Sequence, residues 1–248
     1  MSAIYILWLR ELKRYVRSKA QMVASLAQPL LYLVALGFGF GPVFEKSGNG
    51  DYRQFISPGI ISMSILFTSV FSGIAMLWDR QFGFLKETLV APVPRIQIML
   101  GRTLGGATVA VIQATLVFIA CLVVGFRPVH WELIPLAYLF MMLIALVFAA
   151  LGTAIGSVLQ DMQGFQLIMN FLVLPIYFLS GALYPLKDLK TGMKIVTRLD
   201  PLSYGVDALR NILSGIPNFH LATDLALLSG VAVLFLGLGA WLFSRIQL

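Results

Sequence analysis

The chain has 248 residues, of which 59% are hydrophobic and only 12% are charged, and its mean hydropathy is +0.89. Soluble globular domains carry about 25% charged residues, so this composition excludes an ordinary soluble enzyme. The net charge of +7 does not indicate nucleic-acid binding, because the basic residues lie in short segments beside long apolar windows. Anionic lipid headgroups and orientation in the membrane account for such segments.

Six windows of the sequence contain no Asp, Glu, Lys or Arg. A bilayer core about 30 Å thick is crossed by roughly 20 apolar residues of helix, and every window reaches that length. The sequence therefore predicts an all-α membrane protein that forms one transmembrane domain over 1–248. Its six transmembrane helices are expected within residues 20–44, 54–78, 103–126, 133–160, 162–186 and 225–244.

Lys and Arg predict the orientation of these spans. If the N-terminus is cytoplasmic, the inside segments carry ten Lys and Arg, whereas the two short outside loops carry three. Five more lie in the long outer segment 187–224 and bring the outside total to eight. The positive-inside rule thus favours cytoplasmic termini. We expect a multi-pass protein of the cytoplasmic (inner) membrane with both termini inside.

The N-terminal segment has an amphipathic pattern, with apolar side chains at helical spacing and cations on the other side. The apolar residues are Tyr5, Trp8, Leu9, Leu12 and Tyr15, and the basic ones are Arg10, Lys13, Arg14 and Arg17. Such a helix lies in the membrane surface. The alternative is that it forms the first turns of span one, which is costly because its cations would enter hydrocarbon. We expect an interfacial helix within residues 1–20.

The largest predicted cytoplasmic loop follows the second window. Asp79 can cap a short helix over 79–91, in which Phe82, Leu85 and Leu89 share a face, and two prolines then end it. A simple connector between two spans has no need of apolar side chains exposed to water. The exposed apolar face therefore predicts a protein partner for this loop.

Two short amphipathic helices are predicted between the fifth and sixth spans. The second has Asp200 as N-cap, Pro201 at the first helical position and Gly215 just past the end. Neither helix is long enough to cross a bilayer. We expect the pair to form a re-entrant outer hairpin over 186–215, packed on the spans; a pair that lies on the surface is the alternative.

Asp207 and Arg210 lie three residues apart in the second outer helix and therefore share a face. If the hairpin is partly buried, we expect these side chains to pair with each other or to bond to nearby backbone. If it is exposed, the two side chains are solvated and their pairing is worth at most about 1 kcal/mol.

Several kinds of site are absent from the sequence. Neither a GxxxxGK[ST] phosphate-binding loop nor an HExxH motif occurs. His130 and His220 are far apart in predicted loops and Cys121 is the single cysteine, so neither a metal site nor a disulfide is predicted. No window contains an ionisable residue, which argues against an ion-coupled transporter. We predict a chain without catalytic residues, metal or cofactor of its own.

Small and polar residues within the windows predict helix contacts. Glycines at four-residue spacing allow helices to approach closely, either within the chain or at a dimer face; they are Gly37 and Gly41, Gly101 and Gly105, and Gly152 and Gly156. The strongest hydrogen-bonding side chains, Gln113, Gln166 and Asn170, are expected to join helices rather than to bind cargo. No polar or aromatic row along the windows identifies a cargo.

Three stretches of the sequence resemble the permease subunits of ABC-2-type exporters. They are Asp79 to Glu87 with Ala91 to Arg95 and Gly101-Arg102; Phe178-Leu179-Ser180-Gly181 before Tyr184-Pro185-Leu186; and Asp200 to Arg210. The stretches stand in the family's order and, with the six spans, cover essentially the whole chain. The form is closest to the drug-resistance and nodulation-factor branch, although Gln81 and Ala91-Pro92 replace an acidic residue and a Thr-Pro of many members.

The resemblance implies a complex. A second permease, identical or a paralogue, and two separate ATP-binding-cassette ATPase subunits would join this chain in the lipid membrane, and the ATPases would bind the ATP and magnesium. The helix over 79–91 would be the coupling helix seated on the ATPase. The ATPase-interface residues implied are Asp79, Arg80, Phe82, Gly83, Leu85, Lys86, Glu87, Leu89, Pro92 and Arg95, and those of the outer hairpin are Asp200, Pro201, Tyr204, Asp207 and Arg210.

The function implied is ATP-driven export of a hydrophobic or amphiphilic substrate, such as a drug, a lipid or a lipid-linked saccharide, across the cytoplasmic membrane. Two other classes are an intramembrane lipid-modifying enzyme and an ATP-independent facilitator. The lack of histidine and acidic groups in the windows argues against the enzyme. The apolar loop helix argues against the facilitator, which needs no ATPase.

Overall fold

The structure is a computed structural model that describes residues 3–46, 51–84, 88, 90, 92–186 and 191–245. Every regular element in these residues is helical. The helices are α1 (Ala3–Arg17), α2 (Lys19–Gly39), α3 (Gly41–Lys46), α4 (Tyr52–Phe71), α5 (Ile74–Gln81), α6 (Arg95–Val124), α7 (Ile134–Val158), α8 (Met162–Leu179), α9 (Thr191–Leu199), α10 (Pro201–Ser214) and α11 (Leu221–Ser244), with a 3-10 turn at Trp131–Leu133.

Six segments of the described chain are long and apolar enough to cross a membrane, as the charge-free windows predict. α4 and α5 together form the second of these segments, and α2, α6, α7, α8 and α11 form the other five. The third begins at Arg95, about two turns before its charge-free window, because α6 continues through Arg102. The protein is therefore a multi-pass membrane protein.

α4 lies at the centre of the bundle. It contacts α2, α6, α7, α8 and α10. The apolar stretch of its span is 72% buried, against 17% for the spans of α2 and α11. α2 and α11 therefore present most of their surface outwards, and α4 supplies much of the core.

The second span is broken at Ser72–Gly73, where its backbone packs directly on α7. A Cβ atom added to Gly152 would overlap the carbonyl group of Val70, and one added to Gly156 would lie 2.7 Å from the carbonyl oxygen of Gly73. Only glycine permits such an approach of two backbones. The glycine pair of α7 therefore packs helices inside the chain.

The expected amphipathic N-terminal helix is present as α1, and it packs along α6. A Cβ atom on Gly105 would lie 2.7 Å from the Cβ of Glu11, and one on Gly101 would lie 2.9 Å from the Cβ of Leu7. The indole of Trp8 donates a hydrogen bond of 3.0 Å to a threonine hydroxyl of α6. Part of the amphipathic helix therefore lies against protein.

The third glycine pair, Gly37 and Gly41, makes no such close contact within the described chain. A Cβ atom on Gly41 would have no neighbour within 4 Å, and one on Gly37 would lie at an ordinary van der Waals distance, 3.5 Å, from Arg53. Glycines four residues apart therefore occur both with and without a close helix contact. Whether they make one depends on the helix that lies beside them.

The expectation of one helix over 79–91 with Asp79 as its cap is wrong. α5 includes Asp79 and ends at Gln81. Gly83 then has a left-handed backbone with φ of +81°, which glycine adopts without the strain that a Cβ brings. Helical residues resume only at Phe84. Asp79 therefore belongs to the end of the second span.

The boundaries predicted for the second outer helix are confirmed by α10. The Asp200 side chain accepts a hydrogen bond of 2.9 Å from the N–H of Leu202, Pro201 is the first helical residue, and Gly215 follows the last one with φ of +69°. The first outer helix, α9, is described from Thr191. α10 is buried against α4, α7 and α11, whereas most residues of α9 are exposed.

We predict that Gly152→Ala lowers the thermal unfolding temperature of the detergent-solubilised protein, because the new methyl group overlaps Val70 and overpacking costs about 1–3 kcal/mol. Gly237→Ala on α11 is the matched control, since its Cβ has no neighbour within 4 Å and alanine favours a helix over glycine by about 0.5–1 kcal/mol. Equal unfolding temperatures for the two variants would contradict the contact.

Candidate functional site

The segment between α5 and α6 presents apolar side chains at one end of the bundle. Phe82, Phe84 and Val90 are 63%, 53% and 76% exposed. Trp78 stacks on Phe82 with ring centroids 5.5 Å apart. Large apolar side chains concentrated on one exposed element are typical of a protein contact surface. We name residues 82–94 the coupling loop.

The residues predicted for the ATPase interface differ in their placement. Four of them lie outside the described residues: Leu85, Lys86, Glu87 and Leu89. Phe82 and Pro92 are exposed and Gly83 is partly buried. Asp79, Arg80 and Arg95 instead contact the chain's own helices, as follows.

Asp79 is buried at the end of the second span and joins three helices. Its Oδ2 accepts hydrogen bonds from Arg10 of α1 and from Arg102 of α6, the latter over 2.5 Å. Arg102 is 5% exposed, and its Nε and Nη1 have no hydrogen-bond partner among the described residues. Asp79 therefore holds α1, α5 and α6 together and offers little surface to a partner protein.

Two basic residues that flank the coupling loop bond to the ends of other spans. The guanidinium of Arg80 donates to the carbonyl oxygen of Leu159 at the end of α7 over 2.8 Å. Arg95 donates to the carbonyl oxygen of Ser244 at the end of α11 over 2.6 Å. Cations suit these positions because the last carbonyl groups of a helix lack intrahelical donors. The flanks of the coupling loop are thereby attached to the fourth and sixth spans.

The pairing of Asp79 with Arg10 and Arg102 was not predicted from the sequence, although a signal exists. Arg102 lies inside α6, one residue before a charge-free window, and Asp79 follows the preceding window directly. Charged residues at membrane depth usually pair with one another. Opposite charges at corresponding ends of two consecutive spans therefore indicate an ion pair.

Arg210 is fully buried in α10, without a carboxylate bonded to it. It donates to the carbonyl oxygens of Phe55, Gly181 and Ala182 over 3.1–3.3 Å. Its guanidinium carbon also lies 3.9 Å above the ring of Phe55, a cation–π geometry. Burial lowers the pKa of Arg210 to about 10, so the group is charged at neutral pH. It fixes α10 to α4 and to the turn after α8.

Asp207 bonds to the segment before α11. Its carboxylate accepts hydrogen bonds from the backbone N–H groups of Asn218 and Phe219 and from the Asn218 side chain, over 2.7–3.2 Å. Of the alternatives expected for Asp207 and Arg210, bonding to nearby backbone is therefore the one observed.

Tyr204 and Asp200 complete the contacts of α10. The Tyr204 hydroxyl donates to the carbonyl oxygen of Arg198 over 2.9 Å, and its ring stacks on Phe219 with centroids 5.0 Å apart. The cap residue Asp200 is 8% exposed, and its Oδ2 has no hydrogen-bond partner in the part of the chain that the structure describes. Burial raises the pKa of Asp200 to about 7, while the hydrogen bond from Leu202 opposes that shift.

The chemistry available at these sites is recognition and mechanical attachment. Within the described ranges, no group of three or more His, Cys, Asp or Glu side chains could hold a metal ion. Cys121, the single cysteine, is buried. The polar side chains bond to helix ends and to each other, an arrangement that holds helices in place.

Comparisons with known proteins show which family this chain resembles. Residues 2–214 match the family described as ABC-2 type transporter. Nodulation protein J of Rhizobium meliloti (strain 1021) is 28% identical over 228 residues, which cover 91% of this chain and 86% of that protein. Inner membrane transport permease YadH of Escherichia coli (strain K12) is 28% identical over 238 residues, covering 94% and 90%. The ycf38 protein of Pyropia yezoensis is 30% identical over 206 residues, covering 81% and 70%.

We predict that Asp79→Asn lowers the free energy of unfolding in mixed detergent by about 3 kcal/mol, because removal of one charge from a buried pair leaves the other uncompensated. Asp51→Asn is the control: its partner Arg53 is 3.2 Å away, both side chains are about one-third exposed, and such pairs are worth under about 1 kcal/mol. If the two variants lose similar amounts of unfolding free energy, the Asp79 ion pairs stabilise the fold no more than an exposed pair does.

We predict that Asp200→Asn changes the pH dependence of stability. The ordinary pKa of an aspartate is 3.8 and that of folded Asp200 is about 7, so the folded state holds a proton that the unfolded state releases between these values. The stability of the wild type should therefore fall as the pH rises from about 4 to 7. Asn keeps the cap but not the titration. If the unfolding temperatures of the wild type and of Asp200→Asn change in parallel from pH 5 to pH 8, the raised pKa of Asp200 is contradicted.

Proposed function

The chain belongs to the ABC-2 type transporter family, and we propose on that basis that it carries a hydrophobic or amphiphilic cargo outwards across the cytoplasmic membrane. It is the non-catalytic membrane subunit of such a transporter, and membership implies a partner ATPase. Two ATPase subunits would bind ATP and magnesium, and a second permease, identical or a paralogue, would complete the complex.

The observation that carries the proposal is the exposure of Phe82 and Phe84 at the end of the second span. With Val90, these side chains are the exposed apolar residues described in the coupling loop, and Asp79 lies three residues before Phe82. A push on the loop would pass to α1 and α6 through the Asp79 ion pairs. ATP can shift the permease from one conformation to another only if the ATPase contacts the two conformations differently. The coupling loop is suited to such a contact.

The orientation of the chain and its outer segment follow from the same proposal. If the ATPase docks on the coupling loop, that end is cytoplasmic, and both termini lie there as well. The outer helices then lie at the opposite end. The apolar side chains of α9, including Met193, Val196 and Leu199, are 38–79% exposed, which favours contact with the outer leaflet. α10 is buried among the spans, and together these features support a re-entrant hairpin.

The cargo class is supported by the chain's surroundings. An amphiphile dissolved in the inner leaflet reaches the spans laterally, without crossing water. Under the proposal, a drug, a lipid or a lipid-linked saccharide would move from the inner to the outer side while the spans tilt.

The test is a pair of substitutions on the coupling loop. We predict that Phe82→Glu and Phe84→Glu weaken the co-purification of the partner ATPase by tenfold or more and abolish export. Burial of such a side chain is worth roughly 1.5–3 kcal/mol, a carboxylate adds a desolvation cost, and about 1.4 kcal/mol is tenfold in affinity.

Val129→Glu is the matched control, because Val129 is 57% exposed in the loop after α6, at the other end of the bundle. It should leave the affinity for the ATPase unchanged. Full recovery of ATPase and normal export in both phenylalanine variants would show that the ATPase docks elsewhere.

A further inference from the structure

A cavity of about 290 Å³ lies between α1, α2, α4 and α6. α1 closes one end of it with Glu11, Arg14 and Tyr15, and α6 contributes Gly106 and Val109. Because α1 is attached beside the coupling loop through Asp79, the cavity lies in the half of the bundle nearest that loop. Its volume is at the lower end of the range of ligand pockets, enough for a head group of about one ring with the start of a chain.

Two polar stripes face each other across this cavity. On α2 the stripe consists of Gln21, Ser25 and Gln28, at positions i, i+4 and i+7 of an otherwise apolar span. On α4 it consists of Ser64, Thr68 and Ser72, at i, i+4 and i+8. All six residues line the cavity. Residues at this spacing share a helix face, so each span presents a row of neutral hydrogen-bonding groups to the same space.

One group in the wall has an unmet hydrogen bond. Ser64 is 2% exposed, and its hydroxyl has no partner within the described chain. The neighbouring hydroxyls differ: Ser62 donates to the carbonyl oxygen of Pro58 over 2.9 Å, and Ser72 donates to that of Ser69 over 2.6 Å. An unpaired hydroxyl in a buried site costs free energy, and a bound molecule with its own donor or acceptor removes that cost.

The charges around the cavity cancel. Glu11 and Arg14 are its charged lining residues, and their side chains form an ion pair of 2.8 Å. A charged ligand would therefore meet no unpaired opposite charge among the described lining residues. Between the polar stripes the wall is apolar and includes Met63, Phe67 and Phe71. The lining thus combines neutral hydrogen-bonding groups with apolar and aromatic surface.

We propose that this cavity binds an uncharged amphiphile whose head carries hydroxyl or amide groups. The head would bond to the two stripes, with Ser64 as one contact, and the chain would lie along Met63, Phe67 and Phe71. The inference rests on the proposed export function and narrows its cargo, because a site in the half of the spans nearest the ATPase receives molecules from the inner leaflet. Charged amphiphiles bind there more weakly, since the Glu11–Arg14 pair leaves no free charge to meet them.

The test uses photo-crosslinking in the permease–ATPase complex reconstituted in lipid nanodiscs. The probes are three dodecyl amphiphiles with the same diazirine chain and a glucoside, a phosphate or a trimethylammonium head. The glucoside should label peptides of α2 and α4 that line the cavity, at a lower concentration than the charged probes. Equal labelling by all three heads would overturn the proposal, because it would show a site for acyl chains alone.

Ser64→Ala and Ser62→Ala form a matched pair on α4. The first removes the unpaired hydroxyl and should raise the unfolding temperature slightly, while it raises the half-saturating glucoside concentration about fivefold, the value of one net hydrogen bond. The second removes a buried hydroxyl that does not line the cavity and should leave labelling unchanged. Identical labelling curves for the two variants would overturn the role of Ser64 and with it the site.

ATPase activity separates the two proposals. Stimulation of ATP hydrolysis by the glucoside, lost in Ser64→Ala at low probe concentration, supports the cavity as the cargo site. Stimulation by an amphiphile that does not label the cavity overturns this inference and leaves the exporter intact. Specific labelling of α2 and α4 with no effect on ATPase or on probe movement across the bilayer supports the binding site and contradicts its place in the export cycle.

Discussion

The ion pairs of Asp79 are the constraint on which the coupling end of the molecule depends. A carboxylate and two guanidinium groups at the edge of an apolar bundle are stable only when they compensate one another. Asp79 meets Arg10 and Arg102, and this requirement fixes α1 and α6 beside the last turn of the second span. The start of the coupling loop and the helix that closes the cavity thus share one attachment point.

Other contacts hold the helices together in the rest of the bundle. In the middle of the bundle, the backbone of the second span packs on the glycines of α7 without side chains between them. At the end of the bundle opposite the coupling loop, Arg210 and Asp207 attach α10 to α4 and to the segment before α11. The cavity lies between α1, α2, α4 and α6, and α1, which closes one end of it, is bonded to Asp79 through Arg10. A displacement of the coupling loop would therefore act on a wall of that cavity.

Much of the fold could be predicted from the sequence because the membrane imposes local rules. Windows without charge indicate the six spans, and the boundaries of α10 follow from Asp200, Pro201 and Gly215, whose effects act within a few residues. The helix expected over 79–91 is wrong because α5 continues through Asp79 to Gln81 and Gly83 then has a left-handed backbone. Asp79 bonds instead to Arg10, which is 69 residues away in the sequence. A partner at that distance leaves no local pattern.

The candidate sites were only partly predictable for the same reason. The exposure of Phe82 could be inferred from the sequence, and so could the burial of polar groups in the outer helix. The face expected from Phe82, Leu85 and Leu89 lies partly outside the described residues. The stripes of α2 and α4 are each visible in the sequence as serine, threonine and glutamine at helical intervals, but their significance depends on the two helices facing one cavity. Nothing in either segment alone indicates that they do.

The most direct measurement of the central claim, that the coupling loop receives the ATPase, is fluorescence from an environment-sensitive label at Phe84→Cys. The native Cys121 is fully buried, so the introduced thiol can be labelled selectively, and Val129→Cys at the opposite end serves as the reference position. In nanodiscs, addition of the partner ATPase should shift the emission of the label at 84 to the blue and protect it from iodide, with no change at 129. A label at 84 that remains fully quenched in a complex that hydrolyses ATP and exports would contradict the account.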